Sequence, residues 1–166
     1  MIRVVVDDLA FVTADAIVRP ATALLEPTTP ALRRLEQVGG AAFWSVLQVE
    51  RELAVGSAVV TAAGDLTAEL VIHAIIRSAA EPVSRDSVRR ALTAALQRAA
   101  DWQLAHVAIP PLGTGAGNLS LDDAAGAMAG ALAALATPIP FPRDVTIVAE
   151  TDEERRVFEA VLGGRE

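Results

Sequence analysis

Short runs of β-branched residues alternate along this chain with longer stretches in which apolar positions recur every three or four residues. Ile2–Val6 is the first run and ends at Asp7 and Asp8; residues 15–18 form the second, stopped by Arg19 and Pro20. Thr29 and Pro30 open a helix, Thr suiting the N-cap and Pro the first turn. Leu32 and Leu35 follow at helical spacing, Gly39 and Gly40 break the pattern, and a second helical stretch covers residues 41–53. Residues 57–62 and 70–76 are continuous apolar runs, which predict strands covered on both faces. Residues 87–103 predict a long amphipathic helix turned inward through Val88, Leu92, Ala95, Leu96 and Ala99. His106–Ile109 is the next strand and runs into a breaker-rich loop over 110–118. Ser120 with Asp123 makes a capping box before an Ala-rich helix reaching about Ala136. Asp144–Ala149 is the last strand, and Thr151 with Glu154 caps a closing helix.

Six strands and about five helices, interleaved without repeat or linker, predict one α/β domain over residues 1–166. The expected architecture is a three-layer α/β/α sandwich around a mixed, largely parallel six-stranded sheet. Ligands of such sheets sit beyond the carboxyl ends of the strands. The loops after Val6, Val18 and Ile109 are therefore where chemistry is expected.

Composition removes several classes of chemistry. The 166 residues are 52% hydrophobic and 21% charged, which fits a folded core and not a disordered chain. Cys, Lys and Tyr are absent, and all 14 basic residues are Arg. Thiol catalysis, Schiff bases and a P-loop lysine are thereby excluded. A net charge of −7 argues against a nucleic-acid coat, but a small phosphorylated ligand held by backbone N–H groups stays open. No targeting segment is visible, and the most apolar stretch, 124–137, is shorter than the roughly 20 residues a membrane helix needs. The expectation is a soluble, cytoplasmic protein with no membrane attachment. Two separated His residues without Cys point to no metal, and no cofactor is expected.

The segment Gly113-Thr114-Gly115-Ala116-Gly117-Asn118 carries the most information. Its three glycines let backbone approach a ligand closely, and the helix beginning near Leu121 adds a positive dipole end. It reads either as a phosphate cradle or as an ordinary strand-to-helix turn. Asp7-Asp8-Leu9 reads either as a solvated turn or as a strand-end acceptor for an exocyclic amine such as adenine's.

Asp8-Leu9, Asp15-Ala-Ile-Val18, Val71-Ile-His-Ala74 and Ile109-Pro-Pro-Leu-Gly-Thr-Gly-Ala-Gly117, in that order and at those intervals, resemble the macrodomain family of ADP-ribose binders. The resemblance covers nearly the whole chain. It implies that Asp8 accepts from the adenine amino group with the Leu9 N–H in support. It also implies that Pro110 and the loop from Gly113 through Thr114, Gly115, Ala116 and Gly117 to Asn118 wrap the diphosphate and distal ribose.

The chain departs from the family at two places. The usual Asn-Ala-Ala-Asn becomes Arg19-Pro20-Ala21-Thr22, and the first glycine-rich loop becomes a Pro-containing stretch, 27–35. Thr22 and Leu32 stand where hydrolytic members carry Asn and Asp. Thr offers one hydroxyl in place of an amide, and Leu is no general base. The helix start still aims free N–H groups, those of Ala31 and Leu32, toward the phosphates. The aromatic that often stacks on adenine after the last strand is replaced by Ala149-Glu150-Thr151.

Other residues have plain readings. His73 is expected to be a buried structural histidine, His106 a solvent-facing or capping one, and Asp122 and Asp123 helix-capping acids. Arg33 and Arg34 are either a solvated helix face or partners of a phosphate. Gly126 and Gly130 suggest close packing of their helix on the sheet. Phe43 and Trp44 exceed one core's needs and motivate a homodimer. The expected function is binding of ADP-ribose or a related nucleotide, free or carried on an ADP-ribosylated protein, without efficient hydrolysis. An ADP-ribosyl or O-acetyl-ADP-ribose hydrolase, and an interaction protein with a decayed pocket, are the alternatives.

Overall fold

Alternation along the central strands decides which side of the sheet each helix covers. The computed structural model describes residues 1–115, 118–136 and 140–162. Its strands are β1 (Ile2–Val6), β2 (Ala16–Thr22), β3 (Ala58–Ala62), β4 (Leu70–Arg77), β5 (His106–Ile109) and β6 (Asp144–Ala149). Its α-helices are α1 (Pro30–Val46), α2 (Arg85–Asp101), α3 (Leu121–Ala133) and α4 (Asp152–Leu162), with 3-10 turns at Leu9–Phe11 and Ala134–Ala136. The strands form one sheet in the order β1-β6-β5-β2-β4-β3, parallel throughout except for β3 against β4.

On one face, Ala16, Val18, Ile72, Ile76, Val107 and Ile147 pack with residues of α2, α3 and α4. On the other, Ile17, Ala21, Val71, Ile75, Ala108 and Val148 pack under α1 and the first 3-10 turn. This is the expected three-layer sandwich, with three helices above and one long helix below. Burying these apolar side chains on both faces supplies most of the driving force, at about 25 cal/mol per Å² of apolar surface.

Several boundaries differ from the sequence expectation, each for a local reason. β2 does not stop at Arg19-Pro20 but continues to Thr22. β5 pairs with it only at Ala16 and Ile17, so residues 18–22 are hydrogen-bonded on the β4 side alone, and an imino acid is tolerated there. β3 is an edge strand with half-exposed side chains, not one covered on both faces. The helix expected from Ser87 starts at Arg85, because Ser84 and Ser87 form a reciprocal capping box at 2.9 Å each way. The break at Gly39-Gly40 falls inside α1: Gly40 has φ 73°, ψ −167°, and the second half ends at Val46, not Leu53. Phe43 is fully buried, so only Trp44 of the suggested surface pair is exposed. Gly126 and Gly130 face Arg85 and Arg89 of α2 and not the sheet. Among the described residues no helix is long and apolar enough to cross a membrane.

Candidate functional site

Between β2 and β5 the connections leave in opposite directions, and the sheet opens where their pairing ends at Ile17 and Ala108. A crevice at such a reversal is the usual ligand position in open α/β sheets. A cavity of about 740 Å³ lies there, within the size range of small-ligand sites.

Four segments build it. The end of β1 delivers Asp7 and Asp8. Asp8 caps the 3-10 turn by accepting from the Ala10 N–H at 3.1 Å, and its second carboxylate oxygen accepts from Arg34 Nη2 at 2.7 Å. Leu9, first in that turn, keeps its N–H outside the helical ladder. The start of α1 brings Thr29, Pro30, Ala31 and Leu32, with the Thr29 hydroxyl accepting weakly from the Leu32 N–H at 3.4 Å. The loop after β5 brings Pro110, Pro111, Thr114 and Gly115, closed by Leu119 donating to the Gly113 carbonyl at 2.9 Å and Asn118 to the Gly115 carbonyl at 3.1 Å. β6 and α4 add Val148, Glu150 and Glu154.

Of the residues expected from sequence, Asp8, Leu9, Ala31, Leu32, Pro110, Thr114 and Gly115 line this one cavity. Gly113 is buried behind it at φ 85°, where an added Cβ would lie 2.8 Å from Val88 Cγ2. Ala21 is buried in β2. Thr22 and Asn118 line a second cavity of about 480 Å³, together with Glu26, Glu52, Arg77 and Ser78. The Thr22 hydroxyl accepts from the N–H groups of Leu24 and Glu26, at 3.3 and 3.1 Å, so it serves the turn 22–26. Ala116 and Gly117 lie outside the described residues.

Arg19 of β2 is fully buried on the α1 face of the sheet. It donates to Glu36 of α1 at 2.9 Å and to the Leu25 carbonyl, and its guanidinium lies 6.0 Å from the Phe43 ring centre. Burial lowers its pKa, and the charge and hydrogen bond of Glu36 oppose that shift. His73, paired across the strands with Arg19, is fully buried, with Nε2 bonded to Thr61 at 2.8 Å and the ring stacked on Phe43. Burial, then the Arg19 charge, hold its pKa well below the ordinary value, so it stands in the core as a neutral imidazole. His106 bonds Thr146 at 2.8 Å, while Asp123 pairs with Arg85 at 3.1 Å. Among the described residues no three His, Asp or Glu side chains gather as a metal site requires.

Sequence reasoning missed Glu150 and Glu154 at the larger cavity and Glu52 and Arg77 at the smaller. The strand-end signal was present for both Glu150, the residue after β6, and Arg77, the last of β4. Burial, then the charges of Glu154 and Asp8, push the Glu150 carboxyl above its usual range. The end of the cavity that holds Asp8, Glu150 and Glu154 is therefore acidic.

Residues 34–128 match the family model described as Macro domain. An uncharacterized protein of Aquifex aeolicus is 35% identical over 172 residues, covering 99% of each chain. One of Aeropyrum pernix is 33% identical over 162 residues, covering 96% of this chain and 84% of the relative. Among solved structures, a Trypanosoma brucei macrodomain in complex with ADP-ribose superimposes with a TM-score of 0.85 at 17% identity, over 98% of this chain and 69% of that one. An Oceanobacillus iheyensis macrodomain with ADP gives 0.81 at 18% identity, over 97% and 89%.

Proposed function

The chain belongs to the Macro domain family, and from that premise we propose that its larger cavity binds ADP-ribose or a related adenine nucleotide diphosphate, without efficient hydrolysis. The observation that carries this reading is the convergence of Asp8, the Leu9 N–H, the start of α1 and the Pro110–Gly115 wall on one cavity of about 740 Å³. An acceptor beside a donor matches adenine, whose amino group gives a proton while the adjacent ring nitrogen takes one. Helix-start N–H groups favour the phosphates. The printed ligands of the similar structures, ADP-ribose and ADP, agree with it.

Calorimetric titration with ADP-ribose, ADP, AMP and NAD tests the reading. Saturating ligand at 100 times Kd adds about 2.7 kcal/mol of stability, or about 5–11 °C in Tm. Asp8→Ala should weaken ADP-ribose about tenfold, the lower end for a hydrogen bond to a charged group, because Asp8 is half-exposed. Silence across all four nucleotides overturns the proposal and returns the decayed-pocket reading.

The hydrolase alternative draws on Glu26 and Glu52, which line the second cavity with Thr22 and Asn118. Against it stand Thr22, committed to its turn, and Leu32, which carries no base. Absence of turnover of a mono-ADP-ribosylated protein or O-acetyl-ADP-ribose at high protein concentration removes it. Of the pair that motivated the homodimer expectation Trp44 is exposed and Phe43 is not, and light scattering from a 17.3 kDa species would end that expectation.

A further inference from the structure

The charges around the larger cavity are unbalanced for the ligand proposed above. Asp7, Asp8, Glu150 and Glu154 all line it, while Arg34 is the one cation among its described lining residues. A diphosphate entering there meets four carboxylates, and the backbone N–H groups at the start of α1 and at Thr114 and Gly115 carry only partial charges. One full positive charge is present, and it is tied to Asp8 at 2.7 Å.

We propose that Arg34 is the phosphate-recognition residue of this cavity, turning its guanidinium from Asp8 to the ligand's diphosphate as the base takes its place at Asp8. The inference rests on the nucleotide reading of the preceding subsection. Arg34 lies on the helix face that also carries Pro30, Ala31 and Leu35 into the cavity, one turn beyond the N-cap Thr29. It stands between the base end and the phosphate end. Only one of its five N–H donors has a protein partner among the described residues, so a donor fork remains for two phosphate oxygens. The ion pair is exposed on both sides, 60% for Arg34 and 41% for Asp8, and such pairs are weak enough for a ligand to break. Arg33, its neighbour, does not line the cavity.

Ion exchange at Asp8 couples the two ends. Without a base, Arg34 neutralises Asp8; with one, Asp8 accepts from the base and Arg34 is released where the phosphates lie. Adenosine alone must separate the pair without gaining a phosphate contact, whereas ADP and ADP-ribose gain one. Arg34 thereby selects phosphorylated ligands over nucleosides, in a cavity whose overall charge otherwise favours the reverse.

The test is calorimetric titration of ADP-ribose, ADP and adenosine into the wild type, Arg34→Gln, Arg34→Lys and Asp8→Asn, at low and high salt. Arg34→Gln should weaken ADP-ribose and ADP about tenfold or more, leave adenosine unchanged or slightly tighter, and flatten the salt dependence of ADP binding. Arg34→Lys should restore part of the loss, supplying charge without the fork. Asp8→Asn should weaken all three ligands. Arg34 is exposed, so its variants should melt within about 2 °C of the wild type, separating a binding effect from a folding one. Binding of ADP-ribose by the wild type with no change in Arg34→Gln, or with adenosine weakened equally, overturns the role of Arg34 alone. Absence of any nucleotide binding by the wild type overturns the nucleotide reading, and this role with it.

Discussion

Replacing Arg19 by Met tests whether the buried ion pair behaves as a unit. The guanidinium is fully buried, Glu36 is 8% exposed, and their bond measures 2.9 Å. Removing the cation leaves a carboxylate in the core without its partner, which costs about 3–5 kcal/mol. It also strips the Leu25 carbonyl of its donor, at about 1 kcal/mol. For a chain of this size 1 kcal/mol shifts Tm by about 2–4 °C, so the two losses together should lower the melting temperature of Arg19→Met by about 8–24 °C. The double variant Arg19→Met with Glu36→Leu removes both charges and the Arg19 Nε, which has no partner among the described residues. It should recover all but the Leu25 term, since apolar replacement of a whole buried pair is often neutral or stabilising. Urea denaturation followed by circular dichroism gives the four stabilities of the cycle, with an unchanged slope confirming that the unfolded states compare. A single-variant loss under about 1 kcal/mol, or a double-variant loss equal to the sum of the singles, would refute the reasoning.

Two further outcomes follow from the same neighbourhood and from the loop. His73 is held neutral, so protons bind the unfolded chain more tightly, and stability should fall as pH drops below about 6.5. The protein should therefore melt lower at pH 5.5 than at pH 7.5, and His73→Gln should melt with a flatter pH profile over that range. Gly113→Ala combines a left-handed φ of 85° with a Cβ 2.8 Å from Val88, and should cost about 2 kcal/mol or more; a thermal melt unchanged within about 1 °C contradicts the backbone argument.

The strands, the mixed sheet and the glycine-bearing turn after β5 were legible because burial leaves unbroken apolar runs and glycines mark close backbone approach. Asp8 was legible as a strand-end acid. Pro20 misled because proline ends a strand only where both edges are paired, and local pattern does not reveal that β5 has already left. Arg19 was illegible for a related reason: an arginine among apolar residues reads as exposed until its partner is known, and Glu36 sits 17 residues away on another element. The acidic surroundings of Arg34 come from the end of β1 and the β6–α4 connection, which only the folded chain brings together at the start of α1. Glu154 reaches the cavity because its carboxylate accepts from the Glu150 N–H at 2.8 Å, a reach-back contact beside the Thr151 cap.

The sparse pairing between β2 and β5 also divides the molecule in time. With the ladder there confined to Ala16 and Ile17, the sheet has a seam: β1, β6 and β5 on one side, β2, β4 and β3 on the other. Partial opening along that seam would expose the two halves as separate cooperative units, each with its own amide exchange rate. A molecule lodged across the crevice touches both halves at once, so its binding should slow exchange in strands it never contacts and merge the two rates toward one.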